Sequence, residues 1–200
     1  MTDPADNEAL ADALRSAIAG DERGFVTIYR MLQPGLLRYA TALIGADAED
    51  ATADAWLQIA RDLRSFSGDV DAFRGWTARI VRNRALDLAR SRSRRRTVPA
   101  GLDDLLDTVT VDTTAGAATE RLSTAAAIEL IASLPREQAE AVLLRAVVGL
   151  DARTAGQVLG KSAAAVRVAA HRGLRTLERR LAGERRNLAT ETNTDPRALN

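Results

Sequence analysis

Two stretches of the chain carry side chains suited to gripping a polyanion, and they lie far apart. The first runs from Phe73-Arg74-Gly75-Trp76 through Arg79, Ile80, Arg82, Asn83, Arg84 and Asp87 to Arg90, Arg92, Arg94, Arg95 and Arg96. The second runs from Arg153 through Lys161 and Arg167 to His171, Arg172, Arg175, Arg179 and Arg180. Guanidinium groups make bidentate hydrogen bonds to phosphates and to guanine edges. Lys161 is the only lysine, so nearly every fixed cation has that geometry. The polar loop Ser65-Phe66-Ser67-Gly68-Asp69, beside aromatics and arginines, has the chemistry to cradle or stack an unpaired base. For Phe73 and Trp76, at spacing three, a place in the core is the plainer reading; Phe66 stays open between the two. The arginine run alone suits any polyanion.

Charge alternates along the chain. From Met1 to Asp62 there are eleven acids against five arginines. From Ala72 to Ala100 nine arginines face only Asp87. Asp103 to Asp112 holds four acids and no base, and Arg153 to Arg186 holds nine bases against Glu178 and Glu184. Blocks of this kind steer association with nucleic acid and with charged protein partners.

Other chemistries find no support. The chain has no cysteine, which removes disulfides, thiolate metal sites and thiol nucleophiles. His171 is the only histidine, and it has no serine and acid arranged for nucleophilic catalysis. Asp47, Glu49, Asp50 and Asp54 lack the glycine and closing glutamate of a calcium loop, and no glycine-rich phosphate loop appears. No catalysis, metal or cofactor is expected. The N-terminus is acidic without an apolar signal core, and no apolar run approaches the ~20 residues a membrane span needs. A soluble cytoplasmic protein without membrane insertion is expected.

The elements that must position these groups read as helices. Of the 200 residues 46% are apolar, enough for a packed core, and alanine is abundant while aromatics are scarce. Leu10, Leu14 and Ile18 mark a first helix; Phe25, Ile28, Leu32 and Leu36 mark a second, which Pro34 would bend or split. Asp47 is placed to cap a third, with Ala55, Trp56, Ile59 and Leu63 on one side. A long helix from about Val70 to Arg92 follows, with Phe73, Trp76, Ile80 and Leu88 inward. Pro99, Gly101, Gly116 and six threonines then interrupt the pattern, which reads as an acidic, flexible linker. Periodicity resumes at Glu120, and Pro135 starts a helix that Gly149 closes. The expected organisation is all-α: two small helical domains joined by a flexible linker. The divisions are an N-terminal helical extension (1–20), a first domain (21–97), the linker (98–122), a second domain (123–182) and a disordered polar tail (183–200).

The segment Asp151 to Leu181 has the layout of a helix-turn-helix. Asp151 caps a short helix, Gly160 makes the turn, and Ser162 caps the last helix. Val166, Ala170, Leu174 and Leu177 are expected inward, and Arg167, His171, Arg172 and Arg175 outward. A DNA-recognition helix needs this division; an ordinary helical hairpin with a solvated arginine face has it too.

At this point the motifs resemble a family. Ala48-Glu49-Asp50-Ala51-Thr52-Ala53-Asp54-Ala55-Trp56, then Phe66-Ser67-Gly68-Asp69 and Phe73-Arg74-Gly75-Trp76 through Ile80-Val81-Arg82-Asn83-Arg84-Ala85-Leu86-Asp87, resembles the first DNA-binding domain of bacterial extracytoplasmic-function sigma factors. Leu134-Pro135, Ala139 to Arg145, Gly149-Leu150, Val158-Leu159-Gly160, Val166-Arg167 and His171-Arg172-Gly173-Leu174 resemble the second. The resemblance implies a subunit that binds core RNA polymerase, directs it to promoter DNA and aids strand opening. It implies docking on polymerase by Glu49, Asp50, Asp54, Trp56 and Gln58. It implies reading of the −10 element by Ser65, Phe66, Ser67, Arg79, Arg82, Asn83 and Arg84. It implies reading of the −35 element by Arg153, Lys161, Ser162, Arg167, His171, Arg172 and Arg175, and control by an anti-sigma factor. Two departures stand out. Gly156 falls inside the short helix, and Val168-Ala169 replaces the usual small-polar and basic pair. Two rivals are a stand-alone helix-turn-helix regulator of duplex DNA and a helical protein that sequesters a partner.

Overall fold

The computed structural model describes residues 4–95 and 118–192, with side chains over 4–94 and 124–183. The expected linker therefore lies almost wholly outside the described residues, as do 193–200. Among the described residues there is no strand. Four helices form the first half: α1 (Pro4–Ile18), α2 (Glu22–Ile44), α3 (Ala48–Asp62) and α4 (Val70–Arg95). Four more form the second: α5 (Ala118–Ala132), α6 (Arg136–Val142), α7 (Ala152–Leu159) and α8 (Ala163–Thr192). None is long and apolar enough to cross a membrane.

The inward stripes are those the periodicity predicts. Leu10 and Leu14 of α1 and Ile28, Leu32 and Leu36 of α2 are buried, with Ala55, Trp56, Ile59 and Leu63 of the α3 side and Phe73 and Ile80 of α4. Each fully buried large apolar side chain contributes about 1.5–3 kcal/mol. That sum carries α2 on past Pro34, whose place inside a helix costs about 3 kcal/mol. No split occurs. Gly45, at φ 64°, then ends α2. Asp47 stands before α3, but its side chain makes no capping bond. Arg92 from α4 takes its carboxylate instead, and that ion pair ties the basic end of α4 to the base of α3.

In the second half Asp151 caps α7 by accepting from the Thr154 backbone N–H at 2.6 Å. That bond, first among its causes, holds the Asp151 carboxyl below the usual carboxylate range. The cap's contribution is thus present above the ordinary carboxylate pKa and fades as pH falls through the lowered one. Gly160, at φ 66°, turns the chain, and Ser162 Oγ accepts from Ala165 N to start α8. α8 does not stop near Leu181; it runs to Thr192, with Ala182, Glu184, Arg185, Arg186, Leu188 and Ala189 as good helix formers against Gly183 and Asn187. Leu174 is also a correction: it is 46% exposed, while Val166, Ala170 and Leu177 are buried as expected. Gly173 takes the inward place, where a Cβ would come 2.8 Å from Val142 Cγ2.

The two halves pack together. α4 lies against α7, and α2 against α5 and the π-helical turn Leu143–Val147 that continues α6. One apolar cluster runs from Leu10 through Phe73 to Val158 and Val166. At Gly75 the approach is so close that a Cβ would meet Thr154 Cγ2 at 2.4 Å.

Candidate nucleic-acid interface

Three faces carry the residues singled out above. The first is the outer side of α3 beside α2. Glu49, Asp50 and Asp54 are exposed there, two of them in the first turn of α3, where the helix dipole favours negative charge. Trp56 is not on this surface. It is buried between Phe25, edge-on at 5.9 Å, and Tyr29 at 4.9 Å, and its indole N–H donates to Gln33. Gln58 is half-buried and accepts from Arg84 Nη2 at 2.9 Å. The apolar members of the face are ones the sequence reading passed over: Leu57, 64% exposed, and Tyr29, 41% exposed, held up by the Trp56 ring beneath. Leu57 breaks the inward stripe of its helix, which is the signal that it serves another surface.

The second face is the turn after α3 and the outer side of α4. Ser65 donates to the Asp62 carbonyl at 2.7 Å, which shapes the turn. Asp69 accepts from Ala72 N at 2.8 Å and caps α4. Ser67, Arg79 and Asn83 are exposed. Phe66 is half-buried, with its ring 5.1 Å from Phe73 and 5.2 Å from Trp76, so it belongs to an aromatic ledge whose floor is Phe73. Arg84 lies beside Asn83 and reaches back to Gln58, joining this face to the first.

Arg82 is placed differently. Its Nε and Nη2 donate to Glu140 Oε2 and Oε1 at 2.8 and 3.3 Å, across the seam between the halves. Glu140 is 3% exposed and also accepts from Arg136 at 2.9 Å. Burial works against the charge of Arg82, but the hydrogen bonds and charge of Glu140 outweigh it and hold its pKa above the ordinary value. Tyr39, fully buried beside them, has its phenol pushed up by burial and then by Glu140. Arg82 is therefore a seam residue in this arrangement. The sequence analysis did not single out Glu140, because its i−4 neighbour Arg136 makes it look like an ordinary surface helix pair, while its seam partner Arg82 lies 58 positions away.

The third face is α8 with the turn before it. Arg153, Arg167, His171, Arg172 and Arg175 are all exposed. Ser162 is spent on the helix cap, and Lys161 is ion-paired with Glu137. Val168, 49% exposed, stands among the cations.

The chain matches two family models: that of sigma-70 region 2 over residues 28–95, and that of sigma-70 region 4 over residues 124–177. It is 29% identical over 184 residues to the extracytoplasmic-function RNA polymerase sigma factor BldN of Streptomyces coelicolor, covering 90% of this chain and 69% of that one. It is 30% identical over 170 residues to the sigma factor ShbA of Streptomyces griseus, covering 80% and 89%. Among solved structures, CnrH in complex with the cytosolic domain of CnrY superposes with a TM-score of 0.61 at 23% identity, over 88% of this chain and 98% of that one. At that identity the likeness is one of fold.

Proposed function

The chain belongs to the extracytoplasmic-function family of RNA polymerase sigma factors, and from that premise we propose how its three faces divide the work. As a sigma factor it directs promoter-specific initiation by core RNA polymerase. The acidic and apolar face of α3 and α2 docks on the enzyme through Glu49, Asp50, Asp54 and Leu57, with Trp56 as the support under Tyr29 and Gln58 at its margin. The turn at Ser65, Phe66 and Ser67, with Arg79, Asn83 and Arg84 on α4, reads the −10 element as strands part. α8 reads the −35 element through Arg167, His171, Arg172 and Arg175, with Arg153, Lys161 and Ser162 at its entry. The observation that carries this reading is the placement of two arginine faces on two helical units, one within the match to sigma-70 region 2 and the other within the match to sigma-70 region 4. A stand-alone regulator has no use for the exposed acidic and apolar face on α3.

The unit boundaries follow the same division: an N-terminal extension to residue 20, a −10 unit over 21–97, a linker over 98–122, a −35 unit over 123–182 and a tail. The factor works in the cytoplasm, where polymerase is, and performs no catalysis of its own. CnrH is in complex with the cytosolic domain of CnrY, and we propose that this chain too has a protein partner of its own, an anti-sigma factor. The −10 and −35 elements lie about 25 base pairs apart, roughly 85 Å at 3.4 Å per pair. Halves joined through Arg82 and Glu140 cannot reach both, so the promoter-bound form has this seam open, and Arg82 then joins the −10 face.

Runoff transcription with core enzyme on genomic fragments tests the reading, with discrete start sites as the expected result. In the same assay Asn83→Ala should lower open-complex yield at least tenfold while binding to core enzyme stays at the wild-type level. Loss of core binding in that variant would move Asn83 to the docking face, and tight operator binding without polymerase would favour the regulator.

A further inference from the structure

The outward face of α8 is unusual in what lies at its centre. Residues three, four and seven apart share one side of a helix, so Ala164, Ala165, Val168, His171, Arg172 and Arg175 of α8 form one surface. Ala164, Ala165 and Val168 are exposed; with Arg172 they form one wall of an open cleft whose other wall carries Glu129, Ser133, Arg136 and Glu137, and His171 and Arg175 follow one turn on along α8. From Ala163 to Ala170 the only polar side chain is Arg167. Ser162 Oγ accepts the helix-cap bond from Ala165 N and stands at the edge of this surface, with its O–H left to donate. A major-groove reader normally offers amides, hydroxyls or guanidinium groups to base edges. Here the middle of the reading surface has no hydrogen-bonding group to offer.

We propose that Val168 reads thymine, by apolar contact with the C5-methyl group in the major groove of the −35 element. The proposal rests on the assignment of α8 to that element and adds its base preference. Thymine is the base that presents a methyl in the major groove. Valine is stiff in a helix, with one χ1 rotamer dominant, so its two methyls are held ready without loss of side-chain freedom. Ala164 and Ala165, one turn earlier, have short side chains that let the helix sit close to the base edges. Arg167, Arg172 and Arg175 supply the charge complement that places the valine over a polyanion rather than under an uncharged protein. Val168 is 49% exposed and lines an open cleft between α8 and the α5–α6 turn, so its methyls are accessible from outside and not buried in the core.

The test uses the full chain with core polymerase. Promoter duplexes are selected from a library randomised in the −35 region, and each thymine of the winners is replaced in turn by deoxyuridine, which removes only the methyl. At one or two positions the wild-type complex should bind the deoxyuridine duplex roughly three- to fivefold more weakly, as expected for one buried methyl-sized group. Val168→Ala should bind thymine and deoxyuridine duplexes alike at those positions, and Val168→Ser should select less thymine there. Arg172→Ala should weaken all duplexes without changing the ratio. Equal affinity for thymine and deoxyuridine throughout, or an unchanged ratio in Val168→Ala, would overturn the proposal while leaving the −35 assignment intact. Failure to enrich any −35 sequence would overturn the assignment and the proposal with it. If Val168→Ala instead lost core enzyme binding with the ratio unchanged, the valine would belong to a protein contact.

Discussion

Replacing Glu140 with alanine is expected to part the two halves of the molecule. Glu140 is almost wholly buried and receives Arg82 from one side and Arg136 from the other. Removing one partner of a buried ion pair costs about 3–5 kcal/mol, because the remaining charge is left without compensation. Arg82 keeps 20% of its side chain in contact with solvent, so the lower end applies. About 3 kcal/mol is more than a hundredfold in the ratio of docked to undocked halves. Arg82 regains water only by leaving the seam, so separation relieves the penalty and neither half need unfold. X-ray scattering should show a larger radius of gyration in Glu140→Ala, and denaturation should resolve into two transitions where the wild type shows one. Glu140→Gln, which keeps an acceptor and loses the charge, should fall between. Arg82→Ala removes the same contact from α4, so the double variant should be far less perturbed than the sum of the singles. A wild-type scattering curve for Glu140→Ala, or strict additivity in the cycle, would show that the pair does not hold the seam.

Features set by local periodicity were legible in the sequence, and those set by distant partners were not. The inward stripes of α1 to α4 follow from apolar spacing alone, and the caps at Asp151 and Ser162 follow from residue type. Leu174 went wrong for a geometric reason. At about 100° per residue, each step of four advances the stripe by about 40°, so Leu174 lies about 80° from Val166. The true stripe shortens its second step to Gly173, a residue with no apolar weight, chosen because Val142, Gln138 and Leu134 press on that point. Trp56 looked like a docking residue because its motif is one, yet its ring is the platform beneath Tyr29. Asp47 was a sound cap by type, but Arg92 offers its carboxylate a full charge where a helix N-terminus offers a partial one. Arg82 and Glu140 are separated by 58 positions and most of the undescribed linker, and no one-dimensional pattern joins them. On the candidate DNA surfaces, exposure agrees with the expected outward side for Arg79, Asn83, Arg167, His171, Arg172 and Arg175, because a guanidinium or amide facing water obeys the same periodicity as the apolar stripe behind it.

Substituting alanine at Gly156 sets two effects of opposite sign against each other. By helix propensity alone the change should stabilise α7 by about 1 kcal/mol. The surroundings reverse that. A Cβ at Gly156 would sit 2.5 Å from the Lys161 carbonyl oxygen, with Ala163 N and Ser162 C at 3.4 Å, all of them backbone atoms. They cannot swing aside as a side-chain end would. The turn is also closed over this residue, since the N–H groups of Gly160 and Lys161 both donate to the Gly156 carbonyl. Making room means lifting the start of α8 away from α7 and stretching those bonds. Overpacking of this kind costs about 1–3 kcal/mol and can cost more where only backbone can move. With only backbone atoms able to move, the upper end of that range applies; less the propensity gain, Gly156→Ala should therefore lower the stability of the second half by about 2 kcal/mol, and Gly156→Val by clearly more. Binding to −35 duplex should fall in parallel, because Arg167, Arg172 and Val168 are aimed by the angle at which α8 leaves this turn. The first half has no part in the contact, so core polymerase binding by α3 should persist. A Gly156→Ala protein as stable as wild type, by denaturant midpoint and by −35 affinity, would mean that the α7–α8 turn relaxes freely and that glycine here is a matter of composition alone.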